Sequence, residues 1–370
     1  MIIAVSGRSL AQSAVKSTRN VVVLDAFADA DTRQLATTHA VGLDRSIGLH
    51  TGRMLSALER VTAGRRADIV TGSGFERVPS RLHRVARFGR LCANAADRVR
   101  ALKDPLLGLE LLAATGWDVP ETQLAPPGAA EGWLQKRTGG AGGIHVRPAA
   151  GTRHRRRCYY QRIAPGDAHS VTFLADGERA HVLGFNRLAF STVGSLPFCH
   201  AGADSGVMLP ASVAASIGHR LDRLVCVLAL RGLNGLDFLW DGERAVAIEI
   251  NPRPTATAEL YDDDFPEGLV HWHRRSFDGA LQFPDRASSW RALRIVYADR
   301  PLIVPVDATF PPGCRDRPVA GSTIAAGAPI LSVFATGSDT ADLRQQLGAG
   351  IAAVHATIAT WNTESPSPDV

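Results

Sequence analysis

No stretch of this 370-residue chain is apolar for long enough to cross a bilayer, and no charged leader precedes the strand-like opening MIIAV. Neither a membrane span nor a signal peptide is expected. Cysteine is scarce: Cys92, Cys158, Cys199, Cys226 and Cys314 form an odd, dispersed set with no Cys-x-x-Cys pair. Such a set argues against a disulfide frame or a zinc site, and for reduced thiols in a cytoplasm. Long repeats and low-complexity tracts are missing too. The chain has one compact basic cluster, RHRRR at 153–157, without helical spacing and with only Tyr159 and Tyr160 as neighbouring aromatics. It reads as a solvated loop, so no nucleic-acid partner is expected. Residues 363–370 (TESPSPDV) read as a disordered tail.

What is present is the composition of a globular protein, 45% apolar and 21% charged, long enough for two or three domains and a sizeable core. A formal charge of +5 suits an anionic ligand. The first part reads as strand (1–5), helix, strand (20–24), with a further strand at 67–70 running into TGSGFE. Strand–helix–strand units of this length predict a parallel α/β layer. Ser6-Gly7-Arg8 after the first strand lacks a Gly-rich fingerprint and reads as a tight strand–helix turn.

The chemistry gathers in residues 236–259, LDFLWDGERAVAIEINPRPTATAE. Residues 245–251 read as a strand, and side chains alternate faces along it. Val246, Ile248 and Ile250 are then expected in the core, with Ala245, Ala247, Glu249 and Asn251 on the other face. Glu249 and Asn251 supply hard oxygens of the kind Mg²⁺ prefers when it bridges phosphates. Residues 235–239 read as the partner strand. A three-residue loop, 240–242, would bring Asp237 onto the face of Glu249 and Asn251, and would avoid burying an unpaired carboxylate. Arg253, set between two prolines, is placed to hold a guanidinium over the same site.

Upstream, residues 95–102 read as a helix. Asp104 and Pro105 then open a second helix through Leu112, closed by Gly116. Residues 133–147 (WLQKRTGGAGGIHVR) place a strand ending at Lys136 before a loop with Gly139, Gly140, Gly142 and Gly143. Lysine acts there as a mobile point charge, and the glycines can lay backbone N–H groups over phosphate oxygens. Residues 170–174 and 179–183 predict a hairpin across Asp176-Gly177. Residues 186–209 show no strong pattern and are the expected seat of substrate specificity. A helix is expected from 212 to 231, ended by Gly232. Beyond Pro266 the chain reads as β-rich, with strands at 293–297, 302–306 and 329–334, and closes on an amphipathic helix carrying Leu343, Leu347, Ile351, Val354 and Ile358. Cys199-His200 and His271-Trp-His273 read as ordinary residues, since neither has the partners that catalysis or a metal would need.

The segment AIEINPRPTAT resembles the metal-binding strand of the ATP-grasp superfamily, where an acid and then a Glu-x-Asn-x-Arg element hold Mg-ATP. The other parts occur upstream in the family's order. Lys103 stands where the family's first phosphate-binding lysine lies, Lys136 and its Gly loop resemble the flap over ATP, and Tyr159-Tyr160-Gln161-Arg162-Ile163 resembles the hinge that reads adenine. Near the hinge, Ala168 and His169 stand where many relatives carry a ribose-holding Glu. VLDAFADADTR (23–33) and VTGSGFERVPS (70–80) look like segments of ATP-grasp proteins of archaea and methylotrophic bacteria linked with tetrahydromethanopterin and methanofuran.

The resemblance implies an α/β (α+β) ATP-grasp fold: a pre-ATP-grasp domain (1–93), the core (94–265, flap about 120–163), a β-rich domain (266–362) like that beside carboxylase-type cores, and the tail. It implies a carboxylate–amine ligase using ATP and Mg²⁺ (or Mn²⁺) through an acyl phosphate. Lys103 and Lys136 would neutralise phosphate charge. Asp237, Glu249 and Asn251 would hold metal, Arg253 would stabilise the transferred phosphoryl group, and Gln161 with the backbone of Arg162 and Ile163 would bind adenine. Small-molecule acid and amine substrates, no membrane, a cytoplasmic setting and possible self-association complete the expectation. A carboxylase-like enzyme and a non-catalytic nucleotide-binding module are the alternatives.

Overall fold

A computed structural model describes residues 1–44, 48–279, 281–282 and 290–361; the tail lies outside them. At the N-terminus, strands β1 (Ile2–Ile3), β2 (Val22–Asp25), β3 (Thr37–Ala40), β4 (Ala67–Thr71) and β5 (Gly89–Cys92) form an all-parallel sheet in the order β3-β2-β1-β4-β5. Its strands are short apolar runs because helices cover them; Ile3, Leu24 and Ile69 pack with Met54, Leu58 and Val99 from helices Thr51–Thr62 and Ala96–Lys103. Strand order reverses between β1 and β4, so the turns after them, residues 5–8 and 72–76, open side by side: the Val5 N–H donates to the Ser73 carbonyl.

The flap is a separate four-stranded sheet, made by β6 (Thr122–Gln123), β7 (Trp133–Arg137), β8 (Arg147–Pro148) and β9 (Cys158–Arg162) in the order β6-β9-β7-β8. It has a small core of its own in Trp133, Ala149 and Tyr160.

The large sheet contains β10 (Asp167–Asp176), β11 (Ala180–Val193), β12 (Leu196–Asp204), β13 (Arg231–Trp240), β14 (Ala245–Asn251) and β15 (Trp290–Tyr297). A two-stranded pair is made by β16 (Leu302–Ile303) and β18 (Thr323–Ile324), while β17 (Cys314–Arg315) and β19 (Pro329–Gly337) join the large sheet, giving β14-β13-β10-β11-β12-β15-β19-β17. Strands on both sides of residue 266 thus share one sheet. Helix Ala211–Leu228 packs Ile217, Leu221, Leu224 and Val225 against Val171, Phe173, Leu236 and Phe238 on one face. Helix Thr340–Ala359 covers β15 and β19 with Leu343, Leu347, Val354 and Ile358, capped by the Asp339 side chain at its start.

Three local expectations need correction. Residues 186–209 are not irregular: most of them lie in the long strands β11 and β12. Their pattern is hidden because β11 is only half-buried along much of its length and two register shifts interrupt its pairing with β12. The long helix stops at Leu228, not Arg231, because Ala229 takes the left-handed conformation (φ 46°) and ends it. Gly232 instead lies in β13, at φ 72°, where a Cβ would meet the His273 ring at 2.5 Å. The third correction concerns the β13–β14 hairpin.

Candidate active site

The hairpin is closed by a four-residue turn, 241–244, with Trp240 opposite Ala245 and the Asp241 side chain accepting from the Glu243 and Arg244 N–H groups. The expected three-residue loop is not formed. An even turn would aim Asp237 at the core, but the register shifts between Asp237 and Phe238, leaving Ile248 as the extra residue of a bulge. Asp237 ends up opposite Glu249, on the intended face. The core face is the reverse of that expected over the first half of β14: Ala245 and Ala247 pack into the core with Ile250, whereas Ile248 is only half-buried. A one-residue bulge flips every side chain on one side of it.

Helix Ala96–Lys103 ends by presenting Lys103 to this face, and Asp104 then caps the next helix, Leu107–Ala114, by accepting from the Leu106 and Leu107 N–H groups. The Lys103 ammonium donates to Glu249 and, at 2.8 Å, to Asn251 Oδ1. Asn251 Nδ2 donates to Asp237 Oδ2 at 3.3 Å. Arg253 Nε donates to Glu76, which stands in the turn after β4 and also accepts from the Gly74 N–H at 2.8 Å. The turn after β4 therefore faces the β13–β14 hairpin. Asn94 fastens the two regions: its amide bonds the Arg231 and Pro252 carbonyls and the Asn234 side chain at 3.0–3.1 Å.

Asp237, Glu249 and Asn251 offer oxygens from one sheet face, and a cation, the Lys103 ammonium, already bridges two of them. That donor set fits Mg²⁺ or Mn²⁺ shared with nucleotide phosphates. Among the described residues no three His, Cys, Asp or Glu side chains gather as a closed metal site. Burial and the adjacent Glu249 push Asp237 up to about 7. Burial opposes ionisation of Glu249 as well, yet Lys103, by charge and hydrogen bond, holds it below the usual carboxylate range. Glu76 is held down to about 2, against its burial, by Arg253 and then Lys103.

On the flap, Lys136 Nζ donates to Gln161 Oε1 at 2.5 Å, and Gln161 Nε2 donates to Thr122 Oγ1 at 3.3 Å. Burial lowers the Lys136 pKa, offset in part by the charges of Glu249 and Asp237. The Gln161 amide expected at adenine thus holds the flap lysine. The Arg162 and Ile163 N–H groups donate to the Glu121 and Gly132 carbonyls, at 2.8 and 2.9 Å. The Gly loop is braced on two sides. Gly139 and Gly143 take φ of 68° and 73°; a Cβ on the first would lie 2.8 Å from Arg77 Cα, and one on the second would overlap the Phe198 carbonyl. The His200 N–H donates to the Gly142 carbonyl at 3.0 Å.

Several residues of this region escaped the sequence reading. Glu76, the partner of Arg253, lies within the quoted GSGFE, but nothing local marks its target. Ser170 on β10 pairs with Asp237 and with Asn186 on β11, so a polar row runs across the sheet from Glu249. Asn186 is fully buried and satisfied by Ser170, Thr172 and the Tyr261 hydroxyl. One available signal was compositional: only three of the 41 basic side chains are lysine, namely Lys16, Lys103 and Lys136. Lys16 pairs with Asp262 and Asp263 away from the hairpin. His273, as expected, is structural, accepting from the Leu233 N–H and bonding the Cys92 carbonyl.

A family profile described as "ATP-grasp domain" matches residues 103–257. No curated protein sequence matches the chain. Among solved structures, a biotin carboxylase from Campylobacter jejuni, in a β,γ-ATP complex, superposes with a TM-score of 0.74 at 12% identity over 95% of this chain and 91% of that one. The biotin carboxylase domain of Hydrogenobacter thermophilus 2-oxoglutarate carboxylase, a dimer with MgADP, ADP and bicarbonate, gives 0.72 at 11% identity over 98% and 90%. Rhizobium etli pyruvate carboxylase gives 0.73 at 12% identity; 95% of this chain covers 37% of that one. Residues 103–257 thus match an ATP-grasp domain, and the chain as a whole has the ATP-grasp fold seen in these biotin carboxylases.

Proposed function

We propose that the chain activates a carboxylate with MgATP and joins it to an amine. The observation that carries this reading is the convergence of Lys103, Asp237, Glu249, Asn251 and Arg253 on one sheet face, opposite a flap that supplies Lys136 and the Gly loop. A substrate carboxylate oxygen attacks the γ-phosphorus, the bond from that phosphorus to the β-phosphate bridging oxygen breaks, and ADP leaves with that electron pair. The amine nitrogen then attacks the acyl carbon, phosphate leaves, and the nitrogen sheds a proton. Asp237, Glu249 and Asn251 would hold Mg²⁺, which neutralises phosphate charge. Lys103 moves from Glu249 to a phosphate as the nucleotide arrives, and Lys136 adds its charge from the flap. Arg253, oriented by Glu76, faces the transferred phosphoryl group. Positioning and electrostatics suffice, so no side-chain nucleophile is required.

For substrates, the segments 23–33 and 70–80 support ligation of glutamate or a similar amino acid to a C1-carrier cofactor of the tetrahydromethanopterin or methylofuran type. We place the reaction in the cytoplasm on the strength of the five unpaired thiols. Self-association is part of the proposal, by analogy with the dimeric carboxylase domain. The superposition over nearly the whole chain supports a second reading, a carboxylase-like enzyme using bicarbonate. The test is Mg²⁺-dependent ADP release with amino acids, glutamate first, paired with pterin and furan precursors, and with bicarbonate in a parallel arm. ADP release only with one acid–amine pair supports the ligase; release with bicarbonate alone supports the second reading. Full activity in Glu249→Ala would defeat both.

A further inference from the structure

We propose that His145 is a nucleotide-binding residue of the flap, its imidazole contacting the γ-phosphate of bound MgATP beside Lys136. The inference rests on the ATP-site reading and adds to it a group that neither the motif nor the composition marks.

The first support is position. The β7–β8 ladder pairs Leu134 with Pro148 and Gln135 with Arg147. His145 lies just before that ladder, at the end of the turn 142–145 where the Val146 N–H donates to the Gly143 carbonyl at 2.9 Å, so it stands at the foot of the Gly loop. The second is packing. A Cβ on Gly140 would fall onto the His145 ring, so this glycine makes room for the imidazole as well as for a phosphate. The third is chemistry. Among the described residues His145 Nδ1 is buried and lacks a partner in hydrogen-bond geometry, although the Ala141 backbone lies close to the ring, and buried polar atoms without partners are rare enough to need an explanation. A ligand that arrives between flap and sheet supplies one.

Lys136 and Tyr159 are paired across β7 and β9, and the charge of Glu249 acts on both of them and on His145. Burial, with Lys136 and Arg137 nearby, keeps the imidazole neutral, its pKa lowered to about 4. A neutral imidazole can bond an anion through N–H without adding another cation to a site that already has Lys103, Lys136 and Arg253. The buried histidines are already placed: both ring nitrogens of His273 are engaged, and His169 stacks on Phe238 with its Nδ1 bonded to the Asp167 carbonyl; the half-buried His200 lies in β12, its N–H bonded to Gly142 of the loop.

The test is calorimetric binding of Mg-β,γ-imido-ATP and MgADP to the full chain and to His145→Ala and His145→Gln. The alanine variant should bind the triphosphate analogue about tenfold more weakly with a smaller loss for MgADP, and glutamine, which keeps a donor, should recover part of the difference. Equal affinity of wild type and His145→Ala for the triphosphate analogue overturns the inference. If an altered variant fails to fold, the imidazole ¹⁵N resonances of the wild-type protein decide. The His145 signal, assigned by specific labelling, should shift on saturation with the analogue, and an unchanged signal overturns the inference. A wild-type chain that binds neither nucleotide refutes the ATP-site reading instead.

Discussion

Two ionic networks lie six residues apart in the chain, and they are built to opposite ends. In the β13–β14 hairpin, Glu249 keeps 38% of its side chain accessible and is held by Lys103, whose flexible stem lets it leave. Six residues beyond Arg253, Glu259 is clamped bidentately by Arg8, the second bond at 2.6 Å, and bonded again by Arg315, with side-chain accessibilities of 3% for Arg8 and 4% for Glu259. Arg8 also reaches Asp316 at 3.0 Å, and Asp31 accepts from the Asp316 and Arg317 N–H groups at 2.9 and 3.1 Å. This second network staples the start of the chain, the segment after the catalytic turn and the β17 region. Its rigid guanidinium forks suit permanent pairing, whereas the point charge of a lysine such as Lys103 can exchange a carboxylate for a phosphate. Burial alone therefore does not identify a working charge; replaceable partners do.

The comparison breaks if the two networks respond alike to mutation. The largest expected effect is Glu249→Ala, which should lower ADP release by about 10³-fold or more while moving the melting temperature little, because Asn251 still holds Lys103. Arg8→Met should do the reverse: leaving Glu259 and Asp316 without their main partner should cost roughly 3–5 kcal/mol of stability in denaturant titration. An unchanged midpoint for that variant would mean the staple contributes nothing. Glu76→Gln sharpens the boundary between the classes, since Glu76 is buried like the staple but touches Arg253. It should reduce turnover about tenfold, with the Michaelis constant for ATP little affected, and Glu76→Asp should restore part of the loss.

The smallest effect is a pH dependence. Burial, with Asp316, Asp25 and Asp31 nearby, pushes Asp29 up to about 8. A carboxyl whose folded pKa is raised binds its proton more tightly when folded. Its contribution to stability is complete below the unfolded value near 4 and is lost as pH rises through about 8. The melting temperature should therefore fall by a few degrees between pH 6 and 9, and Asp29→Asn should flatten that decline. An identical slope in the variant would assign it elsewhere.

Much of this was legible in one dimension. Parallel strands in the first part follow from short apolar runs alternating with helices, and the terminal helix from its apolar spacing. Lys103, Lys136, Glu249 and Asn251 stand out because ligand chemistry restricts which side chains can serve, and because lysine is otherwise almost missing. The hairpin was less legible. Asp237 reaches the right face, but by a bulge at Ile248 and not by an odd loop, since two parity errors cancel. Nothing in AVAIEIN announces which residue is extra; packing of Ala245 and Ala247 into the core that helix Leu107–Ala114 covers decides it.

The sequence by itself determined most of the element types, the order of the ATP-grasp-like segments and the class of ligand they can hold. These depend on local propensity and on which atoms a residue carries. The tertiary structure alone decided that Glu76 pairs with Arg253, that Lys136 rests on Gln161, and that Arg8 staples Glu259 and Asp316. Those pairings join residues up to 308 positions apart, and a chain's periodicity holds no information about contacts made only when separate elements pack.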